Sequence, residues 1–531
     1  MNIKRIVIFI MIVLFLFGCK HTPETSTEIE TTPETETSPG TETTPGTGTS
    51  PGTETSPETG TSPETGTTPG NGTSPGTETP TETVYLTVGS SKDLKTMLGA
   101  EMSGKTITWS SGDSSKVSVS ANGIVTSNIT SFTTSEGGNK KYTEGPAKTE
   151  VTITAKAQDN TTKIFKVFAT TEPQENITSL SSFKDYFPAS ILVGNIAASS
   201  DGNGSSITNT SLTRHFNALT PENDMKPDAV SNGRNASTGT ISYTWTKADN
   251  FVNSAAGSNF KIIGHTLLWH SQIPQWQKNM ANENKATALA AMKQFITDVM
   301  SRYKGKIYSW DILNEVFPDS VGASDNWKTA MRAENPWFKA IGYEFVYEAY
   351  LAARQADPAA KLYYNDYNTD QVGKATMIRD MVRDVNQQYK TAFPSETRLL
   401  IEGIGMQEHH NTNVTAASIK ATLNLFKALG VKVSVSEIDI LGQGWNEFSS
   451  VGQGANKHTQ STVTNNGLLT QADLYRQYMA VYMEFKDIIE RISIWGITDN
   501  NSWRSAGLPL LFDSNGKAKP AYYKFAGAVI K

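Results

Sequence analysis

Tyr308-Ser309-Trp310-Asp311-Ile312-Leu313-Asn314-Glu315 and Val431-Lys432-Val433-Ser434-Val435-Ser436-Glu437 are two apolar runs, each closed by an acid. Each reads as a buried strand that delivers one carboxylate to its C-terminal end. A barrel of parallel strands gathers its site at that end, so Glu315 and Glu437 would face one substrate from opposite sides. Two facing carboxylates suit acid, base or nucleophile chemistry on a glycosidic bond. Two strand-end carboxylates paired with lysines are the alternative that these runs alone leave open.

Outward from these runs, the chain beyond residue 176 repeats a strand-then-helix pattern. Strands are expected at 191–196, 216–219, 261–269, 308–313, 361–364, 399–404, 431–435 and 491–497. Helical periodicity is clearest at 288–303, 338–355 and 472–485. Eight such units fit a closed (β/α)8 TIM barrel, an α/β fold, better than an open doubly wound sheet. No Gly-rich phosphate turn follows the first strand, which disfavours a nucleotide site.

The strand ends then share one face, and they are polar or aromatic almost throughout. Strand two ends in Glu222-Asn223-Asp224-Met225-Lys226, strand three in His265-Thr266-Leu267-Leu268-Trp269-His270, and strand five in Asn365-Asp366-Tyr367-Asn368. Strand six gives Gln407, His409 and His410, strand seven Glu437 and Asp439, and strand eight Trp495, with Trp503 beyond. Sugars need donors and acceptors for their edges and flat rings for their apolar faces, so this set suits a carbohydrate cleft. A Glu222–Lys226 pair at helical spacing also fits a plain i,i+4 salt bridge, and His409-His410 also fits metal ligation.

At 531 residues the chain exceeds one core, so two or three units are expected. A net charge of −5 leaves no basic footprint, and no nucleic-acid partner is expected. The single cysteine, Cys19, excludes an internal disulfide. Lys4 and Arg5 precede an apolar run at 6–17, the form of a secretory signal over residues 1–18. Leu16-Phe17-Gly18-Cys19 resembles a bacterial lipobox, which implies lipidation of Cys19 and a membrane-anchored, extracytoplasmic address. Lys20 in place of an aspartate favours the outer membrane or cell surface. Residues 19–83 are Thr, Pro, Glu, Gly and Ser almost throughout and read as a disordered linker spanning about 45 Å.

Residues 84–172 alternate short β-branched runs (84–88, 106–109, 117–119, 151–157, 164–169) with turn residues, the pattern of a small antiparallel sandwich. Ile107-Thr108-Trp109-Ser110-Ser111, Val117-Ser118-Val119-Ser120-Ala121-Asn122-Gly123-Ile124-Val125-Thr126 and Val151-Thr152-Ile153-Thr154-Ala155 resemble the bacterial Ig-like (group 2) domain. Trp109 is expected in its core rather than as a sugar platform.

Residues 173–531 form the barrel unit, and from 178 onward they resemble glycoside hydrolase family 10, the endo-β-1,4-xylanases. The likeness is carried by Glu222-Asn223-Asp224-Met225-Lys226, Gly264-His265-Thr266-Leu267-Leu268-Trp269-His270-Ser271-Gln272, Trp310-Asp311-Ile312-Leu313-Asn314-Glu315, Gln407-Glu408-His409, Ser436-Glu437-Ile438-Asp439 and Trp495-Gly496-Ile497-Thr498-Asp499. The resemblance implies retaining hydrolysis of xylan, with no metal or cofactor, by a chain expected to be monomeric.

It also implies roles, residue by residue. Glu315 would be the acid/base and Glu437 the nucleophile, the one protonated and the other ionised when the bond breaks. His409 would bond Glu437 and be oriented by Asp439, and Asn314 would hold the 2-hydroxyl of the sugar under attack. Glu222, Asn223 and Lys226 would hold the glycone sugars, with His265, Trp269 and Gln407 at the point of cleavage. Trp495 and Trp503 would form the wall and roof over the glycone side. Tyr367 would lean on the nucleophile or the sugar, Arg504 is a further candidate, and Asp311 and His270 would brace the barrel top. Pro227 departs from the tryptophan common in relatives, and the polar, glycine-rich 442–466 is longer than a connector needs. An endo-β-1,4-glucanase and a non-catalytic xylan-binding surface protein are the rival readings.

Overall fold

A computed structural model of the chain describes residues 81–129, 134–136, 139–141, 148–198, 205–207 and 209–529. The expected signal, Cys19 and nearly all of the linker lie outside the described residues.

Strands Thr81–Thr87, Ile107–Ser111, Lys148–Ala157 and Thr162–Thr170 form one sheet, and Ser91–Asp93, Val117–Val119 and Ile124–Ser127 form a second. Period-two burial drives the layering: Val151, Ile153, Ala155 and Ala157 point inward from one strand and meet Phe165, Val167, Val84 and Val125. Trp109 is partly buried and packs on Phe165, ring centroids 6.1 Å apart, the core position expected of it. Two details differ from the expected sandwich. The first strand begins at Thr81 rather than 84, and it pairs in parallel with Thr162–Thr170.

The remainder closes into a barrel of eight parallel strands: β1 (Leu192–Ala198), β2 (Ala218–Pro221), β3 (Lys261–Leu268), β4 (Ser309–Asn314), β5 (Lys361–Asp366), β6 (Gly403–Met406), β7 (Lys432–Ile440) and β8 (Ile489–Ile494). Pairing of β8 with β1, Leu192 opposite Arg491, shuts the ring. All eight expected strands exist, with shifted ends. Residues 399–401 do not join the ladder as expected, because the Asn386 amide grips both the N–H and the carbonyl of Ile401. Strand β2 starts two residues late, since Phe216 caps the helix Thr210–His215. Strand β7 runs past Glu437 to Ile440, because His409-His410 pairs alongside Asp439 and Ile440.

The outer helices follow their periodicity. Lys285–Arg302 buries Ala288, Ala291, Met292, Phe295, Ile296, Val299 and Met300 on one face, and Asn284 caps its start. The helix expected at 338–355 is two, Pro336–Ile341 and Phe345–Ala356. Gly342 separates them at φ +88°, a conformation that favours glycine. At the N-terminal end of the barrel Tyr308, Lys361 and Tyr363 all converge on Glu490, a neutralised plug that faces away from the opposite, open end.

Candidate active site

At the C-terminal end of the strands, a cleft of about 920 Å³ opens between the loops. Among the described residues, every expected site residue except Asp439 lines it, and Asp439 lies directly behind His409. Lengths of pairing set the side-chain directions. Register shifts between Asp311 and Leu313 in β4 and between Val435 and Ile438 in β7 re-aim the residues that follow.

Glu437 is 5% exposed. Its Oε1 accepts from Asn365 Nδ2 at 2.7 Å, and its Oε2 lies 3.2 Å from His409 Nε2. Burial pushes this carboxyl up, but the His409 hydrogen bond, the charges of His265 and His409 and the Asn365 amide together hold it below the usual glutamate range. His409 Nδ1 in turn sits 3.0 Å from Asp439 Oδ2. Burial disfavours the imidazolium, yet Asp439 and Glu437 outweigh it and raise its pKa to about 9. Asp439 is fully buried and accepts from Arg504 and, at 3.0 Å, from the Trp503 indole, and it too is held below its ordinary value against the opposing effect of burial.

Glu315 stands across the cleft in a left-handed conformation, φ +56°, unusual for a residue with a side chain. Its own N–H donates to the Asn365 carbonyl and its carbonyl accepts from Arg332 Nε, so the neighbours fix that conformation. The carboxyl accepts from Trp269 Nε1 (2.8 Å) on one oxygen and from Gln407 Nε2 (2.9 Å) and Asn314 Nδ2 (3.3 Å) on the other. His270, 3.9 Å from Glu315 Oε2, is driven down to about 4 by burial and the Arg332 charge, so it is neutral near pH 7.

Asn365 ties the two halves together. Its Nδ2 donates both to Asn314 Oδ1 (2.9 Å) and to Glu437 Oε1, while its Oδ1 accepts from Ser436 Oγ. A Cβ on Gly405 would come within 2.2 Å of that Oδ1, so β6 must present glycine there. The sequence placed Asn365 at a strand end but offered no signal for this bridging position, which depends on a cross-strand neighbour.

At one end of the cleft Lys226 Nζ donates to Asn223 Oδ1 (2.9 Å) and Gln272 Oε1 (2.7 Å) and lies 5.2 Å from the Trp269 ring centroid. Residues 222–226 form a turn rather than a helix, and the Glu222 charge acts on buried Lys226 from within that turn. Trp495 sets its ring edge-to-face with His265 and His409, and Trp503 lies 5.0 Å from the His409 ring. His265 is braced by Asp311 at 3.0 Å. His409 and His410 turn apart, the second onto Glu408 at 3.1 Å, so they do not form a ligand pair. Tyr367 lines the cleft, with its hydroxyl held by Asp319 and Arg332. Arg504, 2% exposed, lines the cleft and bonds Asp439.

Two outcomes follow from these contacts. Asn365→Ala removes one donor from Glu437 and should lower kcat about 100-fold on any substrate this cleft turns over. The acid limb of its pH profile should also move upward; an unmoved limb would mean the amide does not tune the carboxylate. For His409, a folded-state pKa near 9 against 6.5 unfolded gives stability that is complete below pH 6.5 and lost as pH rises through 9. The melting temperature should therefore fall more steeply from pH 7 to 9.5 in the parent than in His409→Gln, and parallel curves would contradict this.

Residues 182–528 match the model of glycosyl hydrolase family 10. The chain is 34% identical over 367 residues to the Exoglucanase XynX of Acetivibrio thermocellus, covering 66% of this chain and 30% of that protein. It is 32% identical over 364 residues to the Endo-1,4-beta-xylanase A of Thermoanaerobacterium saccharolyticum, covering 66% of this chain and 28% of that protein. Both curated relatives are thus more than three times longer than the stretch they share with it. Among solved structures, a bacterial Ig-like domain containing GH10 xylanase from termite gut superposes with TM-score 0.79 at 52% identity, over 84% of this chain and 98% of that one. Xylanase XynB from Paenibacillus barcinonensis superposes with TM-score 0.55 at 26% identity, over 66% of this chain and 98% of that one. With barrel, cleft and family model in agreement over the same residues, the chain belongs to glycosyl hydrolase family 10.

Proposed function

We propose that the chain is a retaining endo-β-1,4-xylanase in which Glu437 is the nucleophile and Glu315 the acid/base. The observation that carries this reading is one cleft lined by both carboxyls, Glu437 held by the Asn365 amide and the His409 imidazole and Glu315 by the Trp269 indole and the Gln407 amide. Glu437 attacks the anomeric carbon while Glu315 gives its proton to the departing glycosidic oxygen, leaving a glycosyl ester on Glu437. Glu315, now a carboxylate, takes a proton from water. That water attacks the same carbon and expels Glu437. Asn314 offers its amide to the 2-hydroxyl, a contact that tightens as the ring flattens. Trp495 and Trp503 crowd the space where a C6 hydroxymethyl would sit, which favours xylose by about 1 to 3 kcal/mol over glucose.

Such a margin is modest, and the relative from A. thermocellus bears the name exoglucanase, so cellulose-directed action is the second reading. Reducing ends released from xylan and from carboxymethyl cellulose separate the two; preference for cellulose would sink the first. Retention is read by proton NMR of the first-formed product. A β-anomer is expected, and an initial α-anomer would refute the mechanism.

The sandwich ahead of the barrel is read as an Ig-like spacer, in keeping with the solved termite-gut relative, a xylanase containing a bacterial Ig-like domain. Cys19 is read as the lipidated residue of a surface lipoprotein. Labelled palmitate should enter the parent in a bacterial host and not Cys19→Ser; equal labelling would discard the anchor.

A further inference from the structure

Along Thr81–Thr87 and Thr162–Thr170 alternate side chains face the sandwich core: Val84 and Leu86 flank Tyr85, Val167 and Ala169 flank Phe168, and all of these flanking residues are buried there. Tyr85 and Phe168 therefore stand on the outer face of the four-stranded sheet. They are opposite one another in the parallel register, with ring centroids 5.4 Å apart and 22° between the planes. Tyr85 is 48% exposed. An outward position on such a sheet is ordinarily polar, and the neighbouring ones are, with Thr83, Thr108 and Thr152 all exposed. An aromatic pair that the core does not use, edged by hydroxyls, suits a ligand with apolar faces and polar edges.

The charge on this face narrows the ligand. Lys148, Lys156 and Lys166 stand on it against Glu150, in a chain whose net charge is −5. Lys166 pairs with that glutamate at 3.5 Å. Lys148 instead lies 5.1 Å from the Phe168 ring centroid, and Lys156 is exposed opposite Thr108. Lys148 and Lys156 sit at opposite ends of one strand, about 27 Å apart at the rise of an extended chain. Several pyranose rings fit between them, and a strand with carboxylates along its length would meet a cation at either end.

The barrel leaves the face open. It meets the sandwich beyond Thr87, where a Cβ on Gly89 would come within 3.2 Å of the Tyr523 Cβ and where Thr171 Oγ1 donates to Asn465 Oδ1 at 2.6 Å. Pairing across the whole sheet holds the platform, so its rings lose little freedom on binding.

We propose that the outer face of this sheet, built on Tyr85 and Phe168 and flanked by Lys148 and Lys156, binds a xylan strand that carries uronate side groups and so holds the protein on its substrate apart from the cleft. The rings take the apolar faces of the sugars, and the lysines take the carboxylates. The choice of xylan rests on the xylanase reading above. The test measures retention of the full chain, as Glu437→Ala so that nothing is cut, on insoluble glucuronoxylan with excess xylohexaose filling the cleft. Adding Tyr85→Ala should weaken retention about tenfold, and Tyr85→Trp should preserve it. Lys148→Ala with Lys156→Ala should weaken it severalfold at low salt and have no effect at 1 M salt, where the screening length shrinks to about 3 Å. Reducing the xylan carboxyls to alcohols should cost the unaltered face the same factor. The lysine variants, at exposed positions, read the face even where the tyrosine variant unfolds the sandwich. Retention indifferent to Tyr85 and to the lysines, or equal on carboxyl-reduced xylan, would overturn the proposal. If the parent cuts no xylan while retention follows Tyr85 and the lysines, the cleft reading falls and the face stands; xylan cut with retention indifferent to them is the reverse.

Discussion

Glu437→Ala should lose about 10⁴-fold or more of kcat on xylan, because the glycosyl ester of the proposed mechanism forms on this carboxylate. The fold should survive, since the removed carboxylate lies at a surface open to the cleft and Asp439 still balances His409. The stereochemistry of rescue makes the test sharp. With an activated aryl xyloside, azide entering the vacated space attacks from the nucleophile's side and gives the α-xylosyl azide. Full activity in this variant, or a β-azide, would mean that another group attacks. Parent activity should also hold as pH falls below the ordinary glutamate range, because the neighbours of Glu437 keep it ionised there, and decline once that lowered pKa is crossed.

Glu315→Ala is the second large effect, about 10³-fold on xylan, where the departing sugar oxygen is a poor leaving group that needs a proton. An aryl xyloside with an acidic phenol needs no such help, so its first step should be slowed far less. The glycosyl ester should then persist, because no base remains to activate water. Azide should resolve it from Glu315's side and give the β-xylosyl azide, the mirror of the Glu437→Ala result. A uniform loss across leaving groups would remove Glu315 from the acid/base role. Removing this side chain also frees the Trp269 indole and the Gln407 amide, so binding should change little while rate changes greatly.

The barrel was legible because its strands are apolar runs that end in chemistry-bearing residues, and Glu315 and Glu437 stand out at those ends. What the sequence concealed is relational. Asn365 reads as one more polar residue after a strand, and its bridge from Asn314 to Glu437 exists only because β5 lies between β4 and β6 with glycine opposite. Tyr367 was expected on the nucleophile or the sugar; it lines the cleft, and the hold of Arg332 and Asp319 on its hydroxyl comes from a loop with no strand-end signal. The end of β7 extended because a pairing with His409-His410 cannot be read from either segment alone. The break at Gly342 was hidden because apolar residues keep helical spacing on both sides of it.

Arg504 is 2% exposed, bonds Asp439 and the His410 carbonyl, and lies 5.4 Å over the Phe448 ring. One guanidinium thus sits between the Asp439–His409 relay behind the Glu437 carboxylate and Phe448, the hydrophobic peg of the excursion after β7. A different excursion grafted here would disturb that peg and, through Arg504, the Asp439–His409 pair. Loop exchange and the charge of Glu437 are geared together, and a swap that spares Phe448 keeps the Arg504 contact in place.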